Sequence, residues 1–131
     1  MVAANADTPL AIRLSPGQAG DAPEGRKLLW AWAKSEEPHD EDSYFIVMDR
    51  AYEGDETREL VESLGHVPVV PPKSNRLEPW EYDRELYKRR NEIERLFRRL
   101  KGFRRLATRY DKLDVMFLAF LTVAFIFQIV K

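Results

Sequence analysis

The run Tyr44-Phe45-Ile46-Val47-Met48, followed directly by Asp49, is the stretch on which the fold prediction rests. An uninterrupted hydrophobic run flanked by charged residues is typical of a strand that is buried on both faces of a parallel sheet. The run ends at Asp49, so this carboxylate is expected at the carboxyl edge of a central strand. Open α/β sheets bind their ligands at that edge, which makes Asp49 the first candidate functional residue.

The sequence on either side of this run predicts alternating strands and helices. Further strands are predicted at 10–14, which Ser15-Pro16-Gly17 ends, and at 67–70. Residues 53–57 are predicted to form a turn that leads into a helix ending at about 64, with Gly65 as its stop. Further helices are predicted at 22–34, at 81–101 with Gly102 as the stop, and from about 112 onward. Residues 35–42 and 71–80 are predicted loops. This order predicts an α/β fold with a mixed, mostly parallel sheet and covering helices.

Length and composition restrict the class of protein. A chain of 131 residues with 44% hydrophobic residues is expected to form one domain or part of one. The absence of cysteine excludes disulfide frameworks, thiolate catalysis and cysteine zinc sites, and is compatible with a cytoplasmic protein. The first residues lack the pattern of a signal peptide. Residues 115–130 are uncharged but shorter than the roughly 20 residues of a membrane span, so we predict a buried helix rather than a tail anchor.

Charge is distributed unevenly along the chain. Residues 84–112 contain twelve Lys or Arg and four acidic residues, whereas the whole chain has a net charge of −1. This segment therefore carries +8 and the remainder −9. Such asymmetry indicates a surface that binds a polyanion, with nucleic acid as the expected partner. A solvated helix face is the alternative interpretation.

Within the predicted long helix, four polar residues share one face. Their spacings of three, four and seven residues place them together on a helix, opposite an apolar stripe: Tyr87, Arg90, Glu94 and Lys101. Glu94 has a cation one turn away on each side, at Arg90 and Arg98, so ordinary helical salt bridges explain the spacing equally well.

The same four residues resemble a known signature. Tyr87, Arg90, Glu94 and Lys101 are similar, in identity and spacing, to the Tyr-Arg-Glu-Lys signature of bacterial insertion-sequence DDE transposases, and the text of 81–105 resembles the fifth insertion-sequence family. Residues 48–52 resemble the block that holds the second catalytic aspartate of these enzymes. Residues 9–21 resemble the strand and turn after the first one. The resemblance covers nearly the whole chain, 1–131, as the C-terminal portion of the catalytic domain.

The resemblance implies an incomplete ribonuclease-H-like domain. In this family three carboxylates hold two divalent ions, Mg²⁺ or Mn²⁺, for phosphodiester cleavage and joining. Asp49 and Glu94 correspond to the second and third carboxylates, and thus to catalytic and metal-binding residues. The first is expected near Ala4, where this chain has no acid; Asp7 is the only carboxylate nearby. We therefore expect the first strand with its aspartate to be missing and the chain alone to be inactive.

The resemblance also implies partners and location. Phosphate-binding roles fall on five residues of the basic segment: Tyr87, Arg90, Arg98, Lys101 and Arg105. The implied partners are transposon-end DNA and either an upstream-frame product or other transposase subunits, with no membrane. A bacterial cytoplasmic, nucleoid-associated location follows. The alternative function is a noncatalytic DNA-binding regulator or remnant that competes for transposon ends.

Several conspicuous residues have less specific interpretations. Trp32 is predicted to lie in the core, whereas Trp80, just before the basic helix, is either a DNA contact or a structural residue. His39 and His66 lack metal-ligand spacing and are predicted to be surface or loop residues. Lys73 resembles a family loop near the active site, with a solvated turn as the alternative.

Overall fold

A computed structural model describes residues 1–35, 43–103 and 113–130. In chain order the elements are β1 (Val2–Ala3), β2 (Pro9–Ala11), α1 (Asp21–Ser35), β3 (Phe45–Val47), a 3-10 helix (Arg50–Tyr52), α2 (Asp55–Ser63), β4 (Val67–Val69), α3 (Arg84–Lys88), α4 (Asn91–Leu100) and α5 (Asp114–Val130). They form two compact units. The central unit comprises residues 15–90, and the terminal unit comprises 1–14 and 91–131.

Two parallel strands form the sheet of the central unit. β3 pairs with β4 in the register Phe45 to Val67 and Val47 to Val69, and the Met48 amide extends the pairing by donating to the Val69 carbonyl at 3.0 Å. Parallel pairing is confirmed. The prediction that β3 is buried on both faces was wrong, because Phe45 is 59% exposed. Among the described residues β3 has β4 as its single neighbour, so its faces are incompletely covered.

The core of the central unit lies between its helices and β4. Helix α1 buries Leu28, Leu29 and Trp32, which confirms the prediction for Trp32. Helix α2 contributes Val61, which is fully buried, and the chain after β4 contributes Val70. Gly65 ends α2 with φ +80°, a conformation that glycine adopts without strain, so its predicted role as a stop is confirmed.

Gly25 allows α1 to approach the 3-10 helix closely. A Cβ atom at this position would overlap the ring of Tyr52. We therefore expect Gly25→Val to lower the free energy of unfolding by about 1 kcal/mol, because overpacking displaces well-packed neighbours. Gly17→Val is the matched control, since nothing lies within 4 Å of a Cβ there. Equal urea midpoints for the two variants would show that α1 does not pack on Tyr52.

The terminal unit has its own sheet and core. β1 and β2 pair antiparallel, Val2 with Ala11 and Ala3 with Pro9, with an irregularity between the two pairs. Helices α4 and α5 form one apolar cluster: Leu96, Leu100, Leu121, Ala124 and Phe125. The described residues thus form a mixed α/β structure, but with two separate sheets rather than one mostly parallel sheet. Strand patterns predict which residues are extended, whereas pairing depends on tertiary contacts.

The prediction of one long helix at 81–101 was wrong, because two shorter helices lie there. Asp83 caps α3 by accepting hydrogen bonds from the Glu85 and Leu86 amides, so the helix begins later. It ends at Lys88 with i to i−3 hydrogen bonds, of which the last runs from the Arg90 amide to the Tyr87 carbonyl at 3.0 Å. Helix α4 then starts at Asn91. No proline or glycine marks this break, so helix propensity could not predict it.

Helix α5 is buried on one side only. Leu121, Ala124 and Phe125 lie in the core, whereas a second set is exposed: Val115, Met116, Val123, Ile126, Phe127, Ile129 and Val130. The predicted burial of this segment is therefore confirmed for one face. Among the described residues, no helix combines the length and apolar character that crossing a membrane requires.

Candidate active site around Asp49

Asp49 directly follows β3 at the carboxyl edge of the parallel pair. Its backbone is fixed on both sides: Met48 is bonded to β4, and the Asp49 carbonyl accepts from the Tyr52 amide at 2.9 Å, which starts the 3-10 helix. The side chain of Asp49 is 58% exposed. The fold therefore holds this carboxylate at a defined place while leaving it accessible to a ligand.

Arg90 and Tyr87 lie beside this carboxylate within the central unit. Arg90 Nη1 is 3.8 Å from Asp49 Oδ2. The guanidinium of Arg90 also lies 5.9 Å from the centroid of the Tyr87 ring. Because the α3 helix ends at this point, Arg90 reaches Asp49 from a turn rather than from a helix face. Three of the predicted site residues are thus brought together.

The charge of Asp49 also affects the pKa of Tyr52. Burial raises the pKa of the Tyr52 phenol, and the negative charges of Asp21 and Asp49 raise it further. Tyr52 therefore remains a neutral hydrogen-bonding group at physiological pH. The cation of Arg90, 3.8 Å away, is the charged group beside the Asp49 carboxylate.

The other predicted site residues of the described chain lie in the terminal unit. Glu94 is in the first turn of α4, Arg98 is in its last turn, and Lys101 follows the helix; all three are exposed. Arg105 lies outside the described residues, as do His39 and the other basic residues after Phe103.

Asp7 is engaged by neighbours in the terminal unit. Its carboxylate accepts hydrogen bonds from Arg99 and, at 3.3 Å, from the Gln128 amide. The Arg99 guanidinium also donates to the Ala6 carbonyl at 3.2 Å. These contacts connect the segment after β1 to α4 and α5. Ala4, where the family's first aspartate is expected, is exposed and has no ligand atom in its side chain.

The donor chemistry of Asp49 fits a hard divalent ion. Carboxylate oxygens are the ligands that Mg²⁺ and Mn²⁺ take, and this one is exposed. Within residues 1–35, 43–103 and 113–130, however, no three His, Asp or Glu side chains gather into a group able to hold a metal. These residues therefore provide a ligand of the correct type but not a complete site.

Comparison with known proteins shows the family of the chain. The family model described as the transposase DDE domain matches residues 1–129. This chain belongs to that family. It is 31% identical over 120 residues to a Brucella ovis protein named as a candidate transposase for insertion sequence element IS6501, a match that covers 88% of this chain and 84% of that protein. No solved structure matches the chain.

Among the described residues of this DDE transposase chain, Glu53 is a buried carboxylate that sequence reasoning missed. Glu53 was predicted to lie in a turn, but it is 5% exposed. Its carboxylate accepts from Arg76 Nε at 2.9 Å and lies 3.4 Å from Lys73 Nζ. Burial by itself opposes ionisation of Glu53, but the hydrogen bonds from Arg76 and Lys73 outweigh it and lower its pKa. No sequence signal identifies this residue, because acidic residues in turns are usually exposed.

Trp80 closes the loop between β4 and α3 of the transposase chain. Its Nε1 donates to the Val70 carbonyl at 2.8 Å. The Arg58 guanidinium lies 3.6 Å from the centroid of its ring and that of Arg76 lies 4.9 Å away. These contacts favour the structural interpretation of Trp80 over stacking on a base.

His66 also has structural contacts. Its Nδ1 accepts a hydrogen bond from the Tyr44 amide at 3.3 Å. Its ring lies 5.9 Å from the ring of Trp32 and 5.3 Å from that of Tyr44. His66 thus joins the chain before β3 to the turn before β4, and the prediction of a loop position is confirmed.

Proposed function

We propose that this transposase chain supplies the second and third carboxylates, Asp49 and Glu94, of a two-metal site that cleaves and joins DNA strands at transposon ends. The observation that supports this most strongly is the placement of Asp49 at the carboxyl edge of β3 with Arg90 3.8 Å away. The fold assigned by the proposal is a ribonuclease-H-like domain, of which residues 1–131 form the C-terminal portion and contain no counterpart of the first aspartate.

The proposed roles follow from charge and hydrogen-bonding capacity. Asp49 and Glu94 hold the ions, and the chemistry that bound ions supply is activation of the attacking oxygen and stabilisation of the leaving oxygen. Arg90 neutralises Asp49 when no DNA is bound and then donates to a phosphate oxygen, since a guanidinium binds both carboxylates and phosphates. Tyr87 lies against Arg90 and donates a further hydrogen bond.

The remaining basic residues position the DNA. Arg98, Lys101 and Arg105 are proposed to bind backbone phosphates, which fixes the duplex without reading its sequence. Such contacts release counterions, so the affinity for DNA is expected to fall steeply with salt concentration. The first carboxylate is proposed to come from an upstream-frame product or another transposase subunit. The proposed location of the protein is the bacterial cytoplasm, at the nucleoid.

The purified chain is expected to show little or no strand cleavage. With Asp49 and Glu94 alone, the two metal ions would lack a bridging ligand, and their charge would be only partly neutralised. The measurement is nicking of a supercoiled plasmid carrying the insertion-sequence ends, with Mg²⁺ or Mn²⁺. Metal-dependent nicking by the isolated chain that Glu94→Gln abolishes would contradict the prediction that a third carboxylate is needed.

Completing the site is expected to restore cleavage. A fusion that places an apolar strand ending in aspartate, taken from a related transposase, before residue 9 should nick the same plasmid in Mg²⁺. Asp49→Asn and Glu94→Gln should each abolish that activity. Glu62→Gln, which changes an exposed acid of α2 outside the site, should leave it unchanged. If the fusion is folded and binds DNA but never cleaves it, the chain is instead a noncatalytic competitor for transposon ends.

A further inference from the structure

The loop between β4 and α3 lies at the same sheet edge as Asp49. β3 and β4 are parallel, so the residues after both strands emerge together: Asp49 after β3, and the loop of residues 70–83 after β4. Glu53, which contacts Lys73, is separated from Asp49 by the single 3-10 turn of Arg50–Tyr52. Lys73 thus contacts the residue that ends the 3-10 turn begun at Asp49, the candidate metal-binding residue.

Glu53 holds this loop by several contacts. Its side chain accepts from Arg76 at 2.9 Å, and its backbone carbonyl accepts from Arg76 Nη2 at 3.2 Å. Asp55 accepts from Arg76 Nη1 at 2.9 Å. The turn is closed by a hydrogen bond from the Arg76 amide to the Lys73 carbonyl at 3.1 Å. Arg76 is held by the Glu53 carboxylate, the Glu53 carbonyl and Asp55. Because the Arg76 amide is bonded to the Lys73 carbonyl, these contacts also fix the position of Lys73.

Lys73 differs from Arg76 in how much of it faces solvent. The Lys73 side chain is 56% exposed, whereas that of Arg76 is 25% exposed. Arg76 already provides Glu53 with short, charge-assisted hydrogen bonds, while Lys73 lies at the longer distance of 3.4 Å. Lys73 is thus not required to neutralise Glu53, and its exposed ammonium can bind a second anion.

We propose that Lys73 is an additional contact for a DNA backbone phosphate beside Asp49, and that Glu53 is the positioning residue that holds it there. The proposal rests on the proposed function, because it takes DNA as the ligand. Lys73, which belongs to the central unit, would be a phosphate contact in addition to the five residues of the basic segment that are assigned this role.

The first test measures the salt dependence of DNA binding for Lys73→Gln. Binding of a fluorescein-labelled duplex to the full chain is followed by anisotropy, in EDTA, over a series of KCl concentrations. Loss of one phosphate contact is expected to reduce the slope of log affinity against log salt by about 0.9. Lys73→Arg should restore the slope, because it keeps the charge. A merely structural role for Lys73 would change the melting temperature and leave the slope unaltered.

The second test compares two substitutions that each neutralise an acidic residue and are expected to change the affinity for DNA in opposite directions. Glu78→Gln removes an exposed negative charge from the same loop and should strengthen DNA binding slightly. Glu53→Gln also removes a negative charge, yet it should weaken binding several-fold, because Lys73 loses its fixed position. Circular dichroism establishes that each variant is folded. If Glu53→Gln does not fold, the Lys73 slope and its restoration by Arg decide the proposal.

The outcomes separate this proposal from the function on which it rests. An unchanged slope for Lys73→Gln would overturn the phosphate contact, and tighter binding by folded Glu53→Gln would overturn the positioning role. Either result leaves DNA binding by the wild-type chain intact. A wild-type chain that shows no salt-dependent DNA binding would instead refute the proposed function together with this extension.

Discussion

Leu96→Ala is expected to lower the free energy of unfolding by about 3 kcal/mol. Leu96 is 0% exposed and packs with Leu100, Leu121 and Phe125, so truncation removes buried methyl groups and leaves a cavity between α4 and α5. The cost includes both lost transfer energy and the cavity, because neighbouring side chains relax only partly. Urea unfolding followed by far-ultraviolet circular dichroism measures the change.

Leu77→Ala is the matched control for this prediction. It makes the same chemical change at a side chain that is 99% exposed, so it should alter stability by less than about 0.5 kcal/mol. Equal effects of the two substitutions would mean that the α4 and α5 cluster is not formed in solution. A large loss for Leu96→Ala alone would establish that cluster as the core of the terminal unit.

Glu53→Gln is expected to lower the free energy of unfolding by about 1–2 kcal/mol at neutral pH. The substitution keeps the shape of the side chain but removes the charge that accepts from Arg76 and Lys73. The expected loss is modest, because both cations remain partly exposed and regain water contacts. Thermal unfolding of the wild type and the variant, compared at several pH values, provides the measurement.

The pH dependence of this difference has a defined sign. The pKa of Glu53 is lowered in the folded protein relative to its ordinary value of about 4.3. Ionised Glu53 therefore stabilises the fold above that ordinary value, and this contribution is lost as the pH falls through the lowered pKa. The stability curves of wild type and Glu53→Gln should converge in acid. Parallel curves for Glu53→Gln would contradict the assigned ion pairs.

Arg90 shows how the site combines predicted and unpredicted features. Its resemblance to the arginine of the Tyr-Arg-Glu-Lys signature makes it a candidate on sequence alone. The structure adds that it is 3.8 Å from Asp49 and lies in a turn after α3 rather than inside a long helix. Placement in a turn orients the side chain toward the carboxyl edge of β3, which the helical spacing of the signature does not predict.

Sequence alone determined the features that depend on local chemistry. The hydrophobic run before Asp49 predicted β3, and Gly65 predicted the end of α2. The resemblance of Tyr87, Arg90, Glu94 and Lys101 to a known signature indicated a DDE transposase, the family to which the chain belongs. These features follow from backbone preferences and from residue types at fixed spacing, which are properties of short segments.

Tertiary structure decided which groups meet. It selected Arg76 and Lys73 as the partners of Glu53, paired Asp7 with Arg99, and ended α3 where Arg90 turns toward Asp49. It also separated the strands into two sheets. The free energy of an ion pair or a sheet pairing depends on burial and on distances between residues far apart in sequence, which no local pattern encodes.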